Sequence, residues 1–249
     1  MVSSRLNVQA APDAQALAVM AADLIAEQVR LRPDLSILVA SGSTPTLTYA
    51  ELARRVRAGT LDLSRATAVQ LDEYLNLEAD DPRRLWNWTV REVVEPLGIR
   101  YTLRFDAEST DPQRACADYN AAVAALGGID LAILGLGPNG HLGFNEPPSP
   151  ADAPTRTVEL SAESLVSNRA YWGRDVPERA LTAGMSVILA ARRTLLLVAG
   201  AHKRLVLGRV LNGPPTPELP ASLLDGPGVT VLADVAALGP DAPIKQDAS

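Results

Sequence analysis

The sequence has one cysteine and no long apolar run, and each shortage excludes a class of protein. Cys116 cannot form an internal disulfide, and no second cysteine accompanies it as a metal ligand. No run approaches the roughly 18 apolar residues of a membrane span, and the amino-terminal residues lack the apolar core of a secretion signal. We therefore expect a soluble, cytosolic protein without a membrane partner.

Positive charge is also scarce. The chain carries 23 lysines and arginines against 29 aspartates and glutamates, a formal net charge of −6. A protein that binds the nucleic-acid backbone needs a basic face, so no nucleic-acid partner is expected. A small anionic substrate is compatible with this charge, because a few cations and backbone N–H groups suffice to hold one phosphate.

Several familiar motifs are missing as well. The sequence has no P-loop and no Gly-x-Ser-x-Gly nucleophile. It also has no cluster of residues at metal-ligand spacing. We expect neither a cofactor nor a metal ion, so the chemistry should come from acid–base side chains.

What the sequence does contain is an alternation of apolar strands and amphipathic, often alanine-rich helices. It has no linker and no internal repeat, which predicts one Rossmann-like α/β domain over residues 1–239 and a polar tail at 240–249. The sheet should be mostly parallel, with helices on both faces. Proline-rich loops are expected at 147–154, as a rim or lid of the site, and at 214–225. Strands are predicted at 36–40, 66–71, 101–105, 157–160, 194–199 and 229–232, and a further strand begins at 131. Helices are predicted at 12–31, 44–57, 81–94, 111–126, 162–172 and 200–211. Residues 182–192 are predicted to form a strand followed by a helix.

The stretch LAILGLGPNGHLGFNEP, residues 131–147, is the strongest candidate for an active site. An apolar strand passes into a glycine-rich loop that carries His141, with Glu146 spaced to reach back towards it. Such a loop at the carboxyl end of a strand is typical of α/β active sites. The competing interpretation is a loop that binds nothing, with a purely structural histidine.

A second group of residues is suited to bind an anion. Gly42, Ser43 and Thr44 join a strand to a helix, where backbone N–H groups and hydroxyls form an anion cradle. Thr44 could equally be a simple N-cap. Lys203 lies in the first turn of a helix, where a cation is unfavourable unless an anion faces it, although it could also be solvated. Arg169, taken alone, is more typical of a surface charge.

Asp72 ends a buried strand and should face the crevice beyond the sheet. Its neighbour Glu73 could be the functional carboxylate instead, or both could cap the following segment. Together with the anion cradle and the His141–Glu146 pair, these residues fit proton transfer on a sugar phosphate without a cofactor.

Six sequence blocks follow one another along almost the whole chain: SGSTPTLTY at 41–49, LDEYLNL at 71–77, GLGPNGHLGFNEP at 135–147, SNR at 167–169, ALTAGMSVILAAR at 180–192 and GAHKRL at 200–205. In this order they resemble the glucosamine-6-phosphate deaminase family, which is related to the 6-phosphogluconolactonases. The Asp-Glu-Arg and Gly-His-Thr-Ala-Ser blocks that lactonases favour are absent.

The resemblance implies conversion of glucosamine 6-phosphate and water to fructose 6-phosphate and ammonia. It gives His141 the proton transfer that opens the sugar ring, with Glu146 orienting the imidazole. It gives Asp72 the transfer of the proton from C2 towards C1. The phosphate would be held by Gly42, Ser43, Thr44, Arg169 and Lys203, which raises Arg169 from a surface charge to a ligand.

Three departures from the better-known family members carry consequences. Asn139 replaces an acidic residue beside the histidine, so it could hold the imidazole by a hydrogen bond but supply no charge. Val158 and Leu160 replace basic residues of the allosterically activated members, and the Arg83–Trp88 segment replaces a Ser-Tyr-rich block.

Two alternatives for the function remain: galactosamine 6-phosphate as the substrate, and a sugar-phosphate sensor without catalysis. The oligomeric state is left open.

Overall fold

The central sheet consists of seven parallel strands. The computed structural model describes residues 6–239, so the expected tail at 240–249 lies outside the described residues. The strands are β1 (Asn7–Ala11), β2 (Ser36–Val39), β3 (Thr67–Gln70), β5 (Tyr101–Leu103), β6 (Leu131–Gly135), β9 (Arg193–Val198) and β10 (Val229–Asp234). Their order in the sheet is β1-β10-β9-β6-β2-β3-β5, and the prediction of a mostly parallel α/β domain is confirmed.

A second, three-stranded sheet was not predicted. It contains β4 (Asp72–Tyr74), β7 (Arg156–Glu159) and β8 (Arg179–Thr182), and β8 pairs antiparallel with both neighbours. Asp72 therefore begins a strand of this small sheet and does not simply close the preceding one. The polypeptide reaches it one residue after β3, so the small sheet adjoins the carboxyl edge of the large one.

Helices cover both faces of the large sheet, as predicted, because its strands alternate apolar side chains between two cores. Leu131 and Ile133 of β6 join one core, whereas Ala132 and Leu134 join the other. The helices are α1 (Ala14–Leu31), α2 (Ser43–Arg57), α3 (Leu85–Thr89), α4 (Glu95–Leu97), α5 (Pro112–Ala125), α6 (Ala162–Trp172), α7 (Met185–Leu189), α8 (Arg204–Asn212) and α9 (Val235–Leu238). No helix between residues 6 and 239 is long and apolar enough to cross a membrane.

The sequence-based prediction missed β1 and misplaced several boundaries. β1 exists through its pairing with β10, from Asn7 opposite Thr230 to Ala11 opposite Asp234, and no local pattern shows that partner. The helix predicted at 81–94 begins only at α3 and continues through a π-helical turn at Val90–Val94 into α4. The helix predicted at 200–211 begins with a 3₁₀ turn that precedes α8. The predicted loop at 214–225 contains a second 3₁₀ turn. The strand–helix stretch predicted at 182–192 consists of the end of β8 followed by α7.

The chain order of the strands creates a switch point between β2 and β6. These strands are neighbours, but the chain continues from β2 towards β3 and β5, and from β6 towards β9 and β10. The crossover helices therefore diverge, which leaves a crevice outside the carboxyl ends of the two strands. The two glycine-containing segments singled out in the sequence, Gly42–Thr44 after β2 and the His141 loop after β6, both begin at this crevice.

Candidate active site

A cavity of about 190 Å³ lies at the switch point. Its walls come from the segments that follow β2, β6 and β9, from β4, and from α6. Six of the predicted site residues line it together: Gly42, Ser43, Thr44, Asp72, His141 and Lys203. Asn139 and Glu146 contact His141 from outside the lining, and Arg169 does not line the cavity.

The proline-rich segment 147–154 does not line the cavity either, so the predicted rim is wrong. Ser149 is buried, and its backbone N–H donates to the carbonyl of Pro217 at 3.0 Å. Arg156 donates to the Ser149 hydroxyl at 2.9 Å and to Asn145 Oδ1 at 2.8 Å. These contacts fix the segment against its neighbours.

The adjacent carboxyl groups of Asp72 and Glu73 are both buried, but only Asp72 lines the cavity. Glu73 accepts hydrogen bonds from Gln70 Nε2 at 2.9 Å and from the backbone N–H groups of Tyr74, Leu85 and Trp86 at 2.8–2.9 Å. Two of these donors open α3, which explains why that helix begins at Leu85. Glu73 is thus the structural cap, one of the two interpretations that the sequence left open.

Asp72 has the opposite environment. Within residues 6–239, no side chain or backbone group donates a hydrogen bond to its carboxylate. Burial, together with the charge of Glu73, raises the pKa of Asp72 to about 8. Burial also raises the pKa of Glu73, but its N–H donors oppose this. Hydrogen-bond donors therefore stabilise the charged form of Glu73, whereas no donor offsets the effect of burial on Asp72.

His141 is held from behind by Glu146, as the spacing predicts. Glu146 Oε2 lies 3.4 Å from His141 Nδ1. Burial by itself raises the pKa of Glu146, but hydrogen bonds and the charge of His141 outweigh it and bring the pKa to about 2. Asn139 donates to Glu146 Oε2 at 2.7 Å and accepts from the His141 backbone N–H at 3.3 Å. The expectation that the Asn139 amide holds the imidazole is therefore wrong.

Gly137 explains why the imidazole lies so close to the loop. A Cβ atom at this position would lie 2.2 Å from His141 Cδ2 and 2.3 Å from Nε2, distances at which no side chain can fit. The ring therefore packs directly on the Gly137 backbone. This is the close approach for which the loop needs glycine.

The other end of the cavity is suited to an anion. Gly42 occupies the N-cap position of α2 with a φ of 125°, which glycine adopts readily, so Thr44 lies in the first turn and is not the cap. Lys203 ends the 3₁₀ turn after β9 and faces the same space. Burial lowers the pKa of the Lys203 ammonium group, opposed by the charge of Glu163. A half-buried cation near a helix N-terminus creates a site that favours negative charge.

Arg169 is not part of this anion site in the structure. Its guanidinium pairs with Asp175 at 2.6 Å, and 63% of its side chain is exposed. The cavity wall from α6 is formed instead by Ser167, Asn168, Tyr171 and Trp172, which the sequence prediction missed. Nδ2 of Asn168 is buried and has no partner within the described residues, so it can donate to a ligand. The one sequence signal that could have indicated Asn168 was its place in the SNR block at 167–169.

Comparison with known proteins identifies the family. The model of the family described as glucosamine-6-phosphate isomerases/6-phosphogluconolactonase matches residues 9–232. The chain belongs to this family. The resemblance found in the sequence motifs is therefore confirmed.

Several relatives within the family are glucosamine-6-phosphate deaminases by name. Those from Rhodopirellula baltica and Streptomyces coelicolor are each 38% identical, and 93% of this chain aligns with 94% and 91% of theirs. A solved structure described as a monomeric glucosamine-6-phosphate deaminase is 32% identical, with a TM-score of 0.89 over 93% of this chain and 98% of that one. A 6-phosphogluconolactonase from Trypanosoma brucei, 21% identical with a TM-score of 0.74 over 94% of this chain and 98% of that one, shares the fold.

For this member of the family, the contact with Gly137 gives a direct test of His141 placement. Gly137→Ala should displace the imidazole and lower kcat by roughly 100-fold, the scale of general acid–base catalysis. Activity and thermal unfolding are measured together, with Gly208→Ala in α8 as the control because nothing lies within 4 Å of its added Cβ. A fully active Gly137→Ala enzyme would contradict the proposed placement of the ring.

Proposed function

We propose that this protein is a glucosamine-6-phosphate deaminase, which converts glucosamine 6-phosphate and water to fructose 6-phosphate and ammonia. The observation that carries the proposal is the single cavity in which Asp72 and His141 share a space with Lys203 and the start of α2. Two proton-transfer groups and an anion site are what an aldose–ketose isomerisation of a sugar phosphate requires. The names of the relatives agree with this chemistry.

In the proposed mechanism, His141 opens the sugar ring. Glu146 engages Nδ1, so Nε2 is the nitrogen left to move a proton between the ring oxygen and the anomeric hydroxyl. The carboxylate keeps the imidazole oriented and stabilises its charged form. Asn139 acts one step further out, by holding Glu146 through its amide.

Asp72 then acts as the base on the open-chain sugar. Its ionised carboxylate takes the proton from C2 and returns it to C1, through an enolamine intermediate. The imine at C2 adds water and loses ammonia, which leaves the ketose phosphate. A carboxylate without hydrogen-bond donors and beside a second negative charge is a stronger base than an ordinary aspartate.

The phosphate would lie against Gly42, Ser43, Thr44 and Lys203. Backbone N–H groups at the start of α2 supply fixed donors, and the Lys203 ammonium group supplies the charge. Arg169 remains a proposed ligand that has to leave Asp175 in order to reach the phosphate. The cytosolic location and the independence of a cofactor also remain predictions from the sequence.

The first test is ammonia release by the purified protein. We expect ammonia and fructose 6-phosphate from glucosamine 6-phosphate, a lower kcat/KM with the galactosamine epimer, and no turnover by Asp72→Asn. Binding by the inactive variant can be followed through the fluorescence of Trp172, which lines the cavity. If neither epimer yields ammonia, the proposed function is wrong; if Asp72→Asn turns over normally, Asp72 is not the base.

The environment of Asp72 also predicts the pH dependence of the wild-type enzyme. Because the base must be ionised and its pKa lies near 8, kcat/KM should increase about tenfold per pH unit below that value and level off above it. The sign follows from the raised pKa, since a rise in pH removes the proton that blocks the base. A kcat/KM that stays constant between pH 6 and 8 would contradict this assignment.

Removal of the half-buried Lys203 ammonium group should weaken substrate binding. We expect Lys203→Ala to raise KM by roughly 10- to 150-fold, because a charge-assisted contact contributes about 1.5–3 kcal/mol. Arg169→Ala, which removes an exposed partner of Asp175, is the matched comparison. A small effect of Arg169→Ala would place this arginine outside the phosphate site, whereas a KM as high as that of Lys203→Ala would show that substrate recruits it.

A further inference from the structure

The imidazole of His141 has a second neighbour that the proposed mechanism leaves unused. Ser164 Oγ lies 3.3 Å from His141 Nδ1, about as close as Glu146 Oε2 at 3.4 Å. The Ser164 hydroxyl also lies near the Glu146 carboxylate and helps to lower its pKa. Since the amide of Asn139 is directed to Glu146, the Ser164 hydroxyl is the neutral group within residues 6–239 that lies at hydrogen-bond distance from the ring.

The chemistry of the three groups fixes the direction of these hydrogen bonds. An ionised carboxylate only accepts, so Glu146 next to Nδ1 favours the tautomer that carries a proton on Nδ1. The Ser164 oxygen then accepts from this Nδ1–H, which leaves its own hydroxyl proton available to the nearby Glu146 carboxylate. Without Ser164, the carboxylate alone orients the ring, at a distance of 3.4 Å that is long for a hydrogen bond.

The position of Ser164 in α6 is unusual. In this helix, all of which the structure describes, Ser164 is the one buried residue and is 1% exposed. Its backbone N–H donates to the hydroxyl of Ser161, the N-cap, which itself lies 3.2 Å from Glu146 Oε2. The first turn of α6 is therefore attached to the His141–Glu146 pair by two hydroxyl groups. One and two turns later, the same helix forms a wall of the cavity.

We propose that Ser164 is a positioning residue, which fixes the tautomer and orientation of His141 and so makes proton transfer by His141 depend on the placement of α6. The catalytic part of this inference rests on the proposed deaminase function. The structural part concerns the free protein and can be measured without any substrate.

The substrate-free test uses nitrogen NMR of the imidazole rings. The chain has only two histidines, so protein labelled with ¹⁵N-histidine gives two sets of ring signals, and His202→Gln assigns them. In the wild type, His141 should show the tautomer with its proton on Nδ1. Ser164→Ala should lower the population of that tautomer, whereas Ser164→Thr, which keeps the hydroxyl, should retain most of it.

The kinetic test separates positioning from folding and from binding. Ser164→Ala should lower kcat by roughly 10- to 100-fold, part of what a general acid–base group contributes, and leave KM within about twofold. Ser164→Thr should recover most of the lost kcat. Ser186→Ala, which removes a hydroxyl bonded to the Ala153 carbonyl outside the cavity, is the control and should keep wild-type kinetics.

The outcomes distinguish this inference from the proposed function. A wild-type protein without deaminase activity, but with the expected change of tautomer in Ser164→Ala, would refute the function and support the placement of the ring. Unchanged tautomer populations in a folded Ser164→Ala protein would overturn the inference. An equal loss of kcat in the alanine and threonine variants would also overturn it, because the hydroxyl would then not be the group that matters.

Discussion

The burial of two adjacent carboxyl groups, Asp72 and Glu73, is the constraint on which the rest of the site depends. A buried carboxylate is costly unless donors surround it, and Glu73 obtains four N–H donors from Gln70, Tyr74 and the first turn of α3. These contacts join the large sheet, the small sheet and α3 at one point. They also keep a negative charge beside Asp72. Glu73 therefore both holds together the elements that contribute Tyr74 and Leu85 to the cavity and raises the basicity of Asp72.

The remaining site follows from strand topology. Parallel strands bring their carboxyl ends to one edge, and the switch point between β2 and β6 leaves that edge open. Polar residues placed just after these strands converge although they are far apart in sequence. Glycine is needed, for example, at Gly42, where φ is 125°, and at Gly137, where the imidazole packs on the backbone.

This convergence explains how much the sequence could predict. His141, Asp72 and Lys203 follow apolar strands, so their position in a shared crevice could be inferred from the pattern of elements alone. Which of Asp72 and Glu73 is the functional carboxylate could not be inferred from the sequence, because it depends on the backbone N–H groups that α3 donates to Glu73.

Errors and omissions arose where tertiary contacts decide the outcome. β1 needs β10, which lies more than 200 residues later, before it becomes a strand. Arg169 pairs with Asp175, and Asn139 with Glu146, although short sequence motifs suggested other partners. Side chains on a mostly exposed helix carry no apolar periodicity, so the contribution of α6 to the cavity wall had no signal apart from the family motif.

The weakly packed helix α6 contributes both to the support of the His141–Glu146 pair and to the cavity wall. Its rise of about 1.5 Å per residue places Tyr171, a wall residue, roughly 10 Å along the axis from Ser164, which contacts His141. With a single buried residue, it gains little from apolar packing, and polar contacts set its position. Hydrogen bonds to a charged group are stronger than neutral ones, so the first turn of α6 is held most firmly while Glu146 is ionised. The low pKa of Glu146 keeps that condition satisfied throughout the range in which Asp72 gains its charge.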